Sequence, residues 1–310
     1  MKRRHLFQAL LLLGGLIGIA LAVRSTVGDT HEHVMPSPAA LAVSGVFAVV
    51  AITASARAWV ALFSDLVTSR PHRTALRGTF YLSQLTKYLP AGGVVQAGSQ
   101  VTLARGIGVP LRRVAVAFPV SVVGAVAAGG TLGSGLVFDS DLDAWIRVLA
   151  LAGLCSVLLL HRGLMARTLT FARRFVHRIP SDDQLPTQRD ILVFYAYALL
   201  TIGPLCVAYA ILLRSVASGT NPLFVFCAFA LSWVIGFLAV PIPAGVGVRE
   251  ALLVALIPGV GAAPLLAASL ALRLLSIAAE LLAFAFNRVV GHVQGSPELS
   301  PPPAEELTFP

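Results

Sequence analysis

Leu89-Pro90-Ala91-Gly92 and Ile242-Pro243-Ala244-Gly245 each interrupt an otherwise apolar stretch, with Lys87 just before the first and Arg249 and Glu250 just after the second. Proline removes a backbone donor and glycine frees the backbone, so a helix breaks at such a tetrapeptide. Inside a bilayer, the freed N–H and C=O groups need partners from protein or from a water-filled cavity. Transporters use broken helices of this kind to build binding sites. The two breaks therefore read as half-helices converging on one site.

An internal repeat surrounds them. A shift of 153 positions lays Pro90-Ala91-Gly92 on Pro243-Ala244-Gly245, and Gly106-Ile107-Gly108 on Gly259-Val260-Gly261. The segments between, Gly93 to Arg105 and Val246 to Ile257, rise only about 20 Å as helices and cannot cross a hydrocarbon core of about 30 Å alone. They suit re-entrant or broken helices. The repeat halves run over about 39–137 and 190–287. Four spans between the breaks would make both enter from the same side, whereas an inverted repeat needs an odd number of crossings, and the sequence leaves the choice open. Arg70 to Arg77 before the first break, with Arg105, Arg112 and Arg113 after it, favour a loop there that enters and leaves on the cytoplasmic side.

Of the 310 residues, 57% are hydrophobic and 12% charged, and the mean hydropathy is +0.84, which places the chain among all-α integral membrane proteins. The net charge of +9 lies in short segments next to apolar runs, a pattern of topology signals rather than of nucleic-acid binding. Only Lys2 and Lys87 are lysines, so the cations are nearly all Arg, which suits anionic headgroups. Cys155, Cys206 and Cys227 sit in apolar runs without ligand spacing and read as packing residues. No metal or other cofactor is implied.

Apolar runs at Leu6–Val23, Ala39–Leu66, Val114–Val137, Ala144–Leu160, Ile191–Leu213, Pro222–Val240 and Ala263–Phe286 predict a polytopic bundle of seven to eight spans. The first, behind Lys2-Arg3-Arg4, reads as an uncleaved anchor rather than a signal peptide. Arg24 to Pro38, with Asp29, His31, Glu32 and His33, is placed outside; Arg70 to Arg77 and the Arg-rich 161–190 loop are placed inside, so the N-terminus is cytoplasmic and the protein a multi-pass plasma-membrane protein. Residues 1–290 form a single membrane domain, and 291–310 a disordered Pro-rich tail.

Lys87 is placed to contact a lipid phosphate, or else to snorkel at the interface beside Tyr88. Gln96 and Gln100, one turn apart, line a polar cavity or bond neighbouring helices. Arg249, Glu250, Arg273 and Glu280 sum to zero charge. Adjacent helical residues point different ways, so Arg249 and Glu250 are expected to exchange partners with Glu280 and Arg273 on the next helix. Arg273 and Glu280, two turns apart on one face, would each cost about 2.5–3.5 kcal/mol on a lipid-facing helix and must face inward; the four charges read as a headgroup site or proton-coupled gate, or as an ion-pair network that locks helices. Arg57 is read as snorkelling. No nucleophile elbow, His-Glu-x-x-His helix, Walker loop or dinucleotide fingerprint occurs.

Ser83-Gln84-Leu85-Thr86-Lys87-Tyr88-Leu89-Pro90-Ala91-Gly92, with Pro243-Ala244-Gly245-Val246-Gly247-Val248-Arg249-Glu250-Ala251, resembles the transmembrane region of lysylphosphatidylglycerol synthases and their stand-alone relatives. The likeness covers roughly residues 5 to 290, with Pro-Ala-Gly where the family has Pro-Gly-Gly. It implies a flippase-like membrane part that moves a lipid between leaflets. The family's synthase domain has no counterpart after the last span, so synthase activity is not implied. The expected function is translocation of a phospholipid or polyprenyl-linked lipid through a polar cavity at the two breaks, with Lys87, Pro90, Gly92, Gln96, Pro243, Gly245, Arg249, Glu250, Arg273 and Glu280 as its binding residues. Two alternatives stay open: an integral-membrane transferase on lipid-phosphate substrates, and a non-catalytic partner of a separately encoded lipid-modifying enzyme recruited through the 161–190 loop.

Overall fold

Ser37 starts the first helix by accepting a hydrogen bond from the Ala40 amide (3.3 Å), and Pro38 follows at a position where its missing N–H costs nothing. The computed structural model describes residues 35–67, 69–88, 92–139, 142–173, 185–238, 247–257 and 259–293, and regular structure among them is helical throughout. In order, the helices are α1 (Pro38–Ala61), α2 (Arg70–Gln84), α3 (Gly92–Arg105), α4 (Leu111–Gly133) and α5 (Ala144–Cys155), then α6 (Arg162–Arg173), α7 (Gln188–Val216), α8 (Pro222–Leu238), α9 (Val248–Leu256) and α10 (Ala262–Val293). Tighter 3₁₀ turns extend α2 to Tyr88, α4 to Phe138 and α5 to Leu160.

Four helices are long and apolar enough to cross a membrane: α1, α4 with its extension, α7 and α10, at 24, 28, 29 and 32 residues. Even the shortest rises about 36 Å. The segment Ala144–Leu160 is apolar too, but the chain bends by 105° into α6, which runs off at a steep angle. The 17 residues of α8 rise only about 26 Å, short of a full core, so the expected span there is not a long helix. The expected anchor at Leu6–Val23 and most of the Pro-rich tail lie outside the described residues, although α10 continues through Val293, past the expected tail boundary at 291. Among the described residues, four long apolar helices thus stand where the apolar runs predict more.

The segment Arg70 to Gln84 departs most from the sequence expectation of a basic loop. Ser69 caps it by accepting from the His72 amide (3.4 Å), and its apolar and small residues recur at helical spacing, burying Leu76, Thr79, Phe80 and Ser83 while His72 and Arg73 stay exposed. It packs on α10, and Asn287 of α10 donates to the Thr74 carbonyl (3.1 Å).

Helices α1 and α7 run antiparallel along most of their length. Ser44 donates to the Ala208 carbonyl (3.2 Å) near one end, and Ser64 to the Asp190 carboxylate (2.6 Å) at the other. That carboxylate also closes a capping box with Thr187. Arg113 pairs with Asp65, so the start of α4 shares this second end. Arg70, Arg105, Arg112, Arg162 and Arg189 fall at the helix termini gathered here, which makes it the basic end. Helix α2 leaves this end, and α3 returns to it. At the opposite end, Tyr209 of α7 donates to the Leu265 carbonyl of α10 (3.3 Å), so α8 leaves and α9 returns there.

Neighbour relations are paired across the molecule. Helix α10 packs on α1 and α2, while α4 packs on α7 and α8; α3 touches α2 and α4, while α9 touches α8 and α10. Glycine lets α4 and α5 meet closely: a Cβ on Gly130 would lie 2.2 Å from the Gly153 carbonyl oxygen. A methyl there forces backbone apart. Gly130→Ala is expected to destabilise by about 1–3 kcal/mol, the cost of overpacking, whereas Gly203→Ala, whose Cβ meets nothing nearer than Leu132 at 4.0 Å, should melt near wild type. Thermal unfolding in detergent, followed by circular dichroism, checks both.

Candidate functional site

Between the two sets of helices lies a cavity of about 510 Å³. Helices α1, α4, α7 and α8 supply chiefly apolar wall, including Trp59, Phe118, Phe194, Trp233 and Phe237. Polar groups come mainly from α2, α3, α9 and α10: Lys87, Gln96, Gln100, Arg249, Arg273 and Glu280 all reach it. Thus Lys87, Gln96, Gln100 and Arg249 reach the cavity from elements beside the two breaks and Arg273 and Glu280 from α10, while α1, α4, α7 and α8 deliver most of the apolar lining.

On the first side, the tight turn after α2 carries Lys87 and Tyr88 to α10. Lys87 donates to one oxygen of Glu280, and the Tyr88 hydroxyl donates to the other (3.2 Å). The Lys87 ammonium lies 3.5 Å from Gln84 Oε1 and 5.1 Å from the Tyr88 ring centroid. The Glu280 side chain is 4% exposed, so its charge depends on these partners.

On the second side, Glu250 occupies the third position of α9 and accepts from the Gly247 amide (2.8 Å), capping its own helix. Gly247 adopts a φ of +85°, a conformation glycine enters at little cost. The other Glu250 oxygen accepts from Arg273 (2.7 Å) and Ser269 (2.9 Å), both on α10. Glu250 is therefore held from three directions and does not itself line the cavity.

Arg249 stands apart. Its guanidinium lies 5.5 Å over the Phe229 ring, and its buried Nε has no hydrogen-bond partner among the described residues. The expected exchange is thus half realised. Arg273 pairs with Glu250, but Glu280 pairs with Lys87 rather than with Arg249, because Glu280 lies two turns further along α10, where the first hairpin reaches it. Adding Lys87 to the four charges leaves three cations against two anions, and of the three only Arg249 has no salt bridge among the described residues.

Of the other expected site residues, Gln96 and Gln100 line the cavity, and Gly92 opens α3. Pro90, Pro243 and Gly245 lie outside the described residues. Sequence reasoning passes over Trp59, which reads as core in an apolar run; only its cavity position and its unpartnered indole N–H mark it. Arg57 is exposed, in keeping with a snorkelling side chain. Among the described residues, no three His, Cys, Asp or Glu side chains gather in a way that would hold a metal ion.

The chain matches no protein-family model, no curated protein and no solved structure. Its geometry has to carry the functional reading.

Removing Lys87 should strand a buried carboxylate. Lys87→Met is expected to cost about 3–5 kcal/mol, the usual loss when one member of a buried pair is deleted. The double variant Lys87→Met/Glu280→Gln removes both charges and should regain most of that loss. Chemical unfolding of both variants in mild detergent measures the recovery; its absence would mean that the two groups do not act as a pair.

Proposed function

We propose that the protein translocates an anionic membrane lipid, whose headgroup enters the cavity while its tails remain in the bilayer. The observation that carries this is Arg249: on a cavity with a largely apolar lining, it is a cation with no salt bridge among the described residues, and its buried Nε has no hydrogen-bond partner there. A buried charge of this kind needs a counter-ion, and a phosphate-bearing headgroup supplies one. Burial of the guanidinium over Phe229, away from the Arg-rich basic end, argues for a guest rather than for a topology signal.

The arrangement of breaks supports the same reading. The α2–α3 hairpin opens at the basic end and the α8–α9 hairpin at the opposite end, and their neighbours correspond pair by pair. We take these as the two halves of an inverted repeat. Three crossings then separate the breaks, α4, α5 with its extension, and α7, which meets the odd-number requirement that the sequence left open. Counting α8 as half of a re-entrant hairpin lowers the seven to eight crossings of the sequence reading to α1, α4, α5, α7 and α10 together with Leu6–Val23. The basic end is cytoplasmic by the positive-inside rule, and the N-terminus lies on that side. Sites at the interface of inverted repeats, reachable from either side in turn, are the usual architecture of secondary transporters. The likeness of the two break motifs to the lysylphosphatidylglycerol synthase transmembrane region points to the same class of activity.

The test is transfer of labelled phosphatidylglycerol between leaflets of proteoliposomes. Wild type should equilibrate the label, while Arg249→Gln should slow transfer at least tenfold, about 1.4 kcal/mol or more, in protein that retains its helicity. Transfer at the wild-type rate by Arg249→Gln would remove the cation from the mechanism. No transfer of any lipid by folded wild type would remove translocation itself.

A further inference from the structure

Three of the residues that line the cavity each carry a buried polar atom without a hydrogen-bond partner among the described residues: Trp59 Nε1, Gln100 Oε1 and Arg249 Nε. Trp59 and Gln100 are 2% and 5% exposed, and the three come from α1, α3 and α9, elements far apart in the chain. Buried polar groups are almost always paired, so three orphans on the wall of one cavity mark the positions that a guest completes.

Their chemistries differ in an informative way. An indole N–H and a guanidinium only donate, whereas an amide oxygen only accepts. A phosphate oxygen answers Arg249 and Trp59 but has nothing to give Gln100 Oε1. A hydroxyl donates to it, and because a hydroxyl also accepts, it serves the Gln100 amide in either orientation. An ammonium would donate as well, yet it would bring a further positive charge to a wall where cations already outnumber anions and where both carboxylates are engaged. At about 510 Å³ the cavity is of the size that holds a whole small ligand, with room for more than a phosphate.

We infer that the cavity selects a headgroup with both an anionic phosphodiester and a neutral hydroxyl donor, a polyol or sugar phosphate, over an alkyl phosphate or an amine-bearing one. This rests on the reading of the cavity as a lipid-headgroup site and names the substrate class within it. Arg249 takes the phosphate, Gln100 reads the hydroxyl, and the Trp59 indole N–H donates to an oxygen of either group. Gln96, one turn from Gln100 on the same helix and also on the cavity, presents a second amide to the same part of the guest.

The experiment uses the full chain in phosphatidylcholine nanodiscs, with displacement of a fluorescent phosphatidylglycerol by unlabelled competitors. Phosphatidylglycerol and phosphatidylpropanol have the same charge and linkage and differ in the two hydroxyls. The former should displace at least tenfold better, the scale set by leaving one buried acceptor unpaired. A galactosyl diacylglycerol, with hydroxyls but no anion, and phosphatidylethanolamine, whose donor is an ammonium, should both compete at least tenfold less well than phosphatidylglycerol. Gln100→Leu should collapse the phosphatidylglycerol preference over phosphatidylpropanol to within twofold, and Arg249→Gln should weaken both.

Equal displacement by phosphatidylglycerol and phosphatidylpropanol in wild type, or a preference that survives Gln100→Leu, would overturn the inference while leaving an anionic-lipid site in place. Displacement by phosphatidylethanolamine as good as by phosphatidylglycerol would overturn the neutral-donor assignment. Equal potency of soluble glycerol 3-phosphate would keep the recognised chemistry but contradict a lipid as its source. Failure of the fluorescent lipid to bind at all would overturn the lipid site and the inference together.

Discussion

The pair between Lys87 and Glu280 is the contact on which the site depends. It joins the turn after α2 to α10, and the buried Glu280 carboxylate has Lys87 and Tyr88 as its hydrogen-bond donors. A second contact, Glu250 with Arg273, joins the other hairpin to the same helix. Both exist for one physical reason: a charge in an apolar interior must find its opposite, and short broken helices have too little apolar surface of their own to be held by packing alone. Helix α10 thereby becomes the common support for both hairpins, and what lies between them is the cavity. The same accounting leaves Arg249 without a salt bridge among the described residues, the observation on which the proposed function rests.

Much of the architecture could be read from hydropathy. The runs that became α1, α4, α7 and α10 are long, apolar and flanked by Arg or by capping residues, so composition alone places their starts to within three residues and their ends to within seven. Helix α2 escaped because its apolar residues, Leu76 and Phe80 among them, are diluted by Arg, Thr and Ser; only the helical spacing of its buried face signals it. Helix α8 reads as a span by hydropathy, and its 17 strongly apolar residues are shorter than the four long helices. Hydropathy measures burial, and burial within protein and burial in lipid read alike.

Of the ion pairs beside the cavity, the sequence announced one and hid the other. Helical geometry ruled out an Arg249–Glu250 pair and foretold Glu250 with Arg273, because those residues sit on sequential helices with a short connection. The partner of Glu280 lies 193 residues earlier in the chain, and nothing local to either residue announces it. Trp59 was hidden for a simpler reason: an aromatic residue in an apolar helix reads as packing, and only the three-dimensional position of its indole N–H makes it a candidate contact.

The central claim is that a lipid headgroup occupies the cavity between the hairpins. Its most direct test is photocrosslinking with a lipid that carries a diazirine on the headgroup, in membranes, followed by peptide mapping. Adducts should concentrate on the segments that hold Lys87, Gln96, Arg249 and Arg273, and excess unlabelled lipid should abolish them. Adducts confined to the outer faces of α5 and α6, or spread evenly over the lipid-facing helices, would contradict a headgroup site inside the protein.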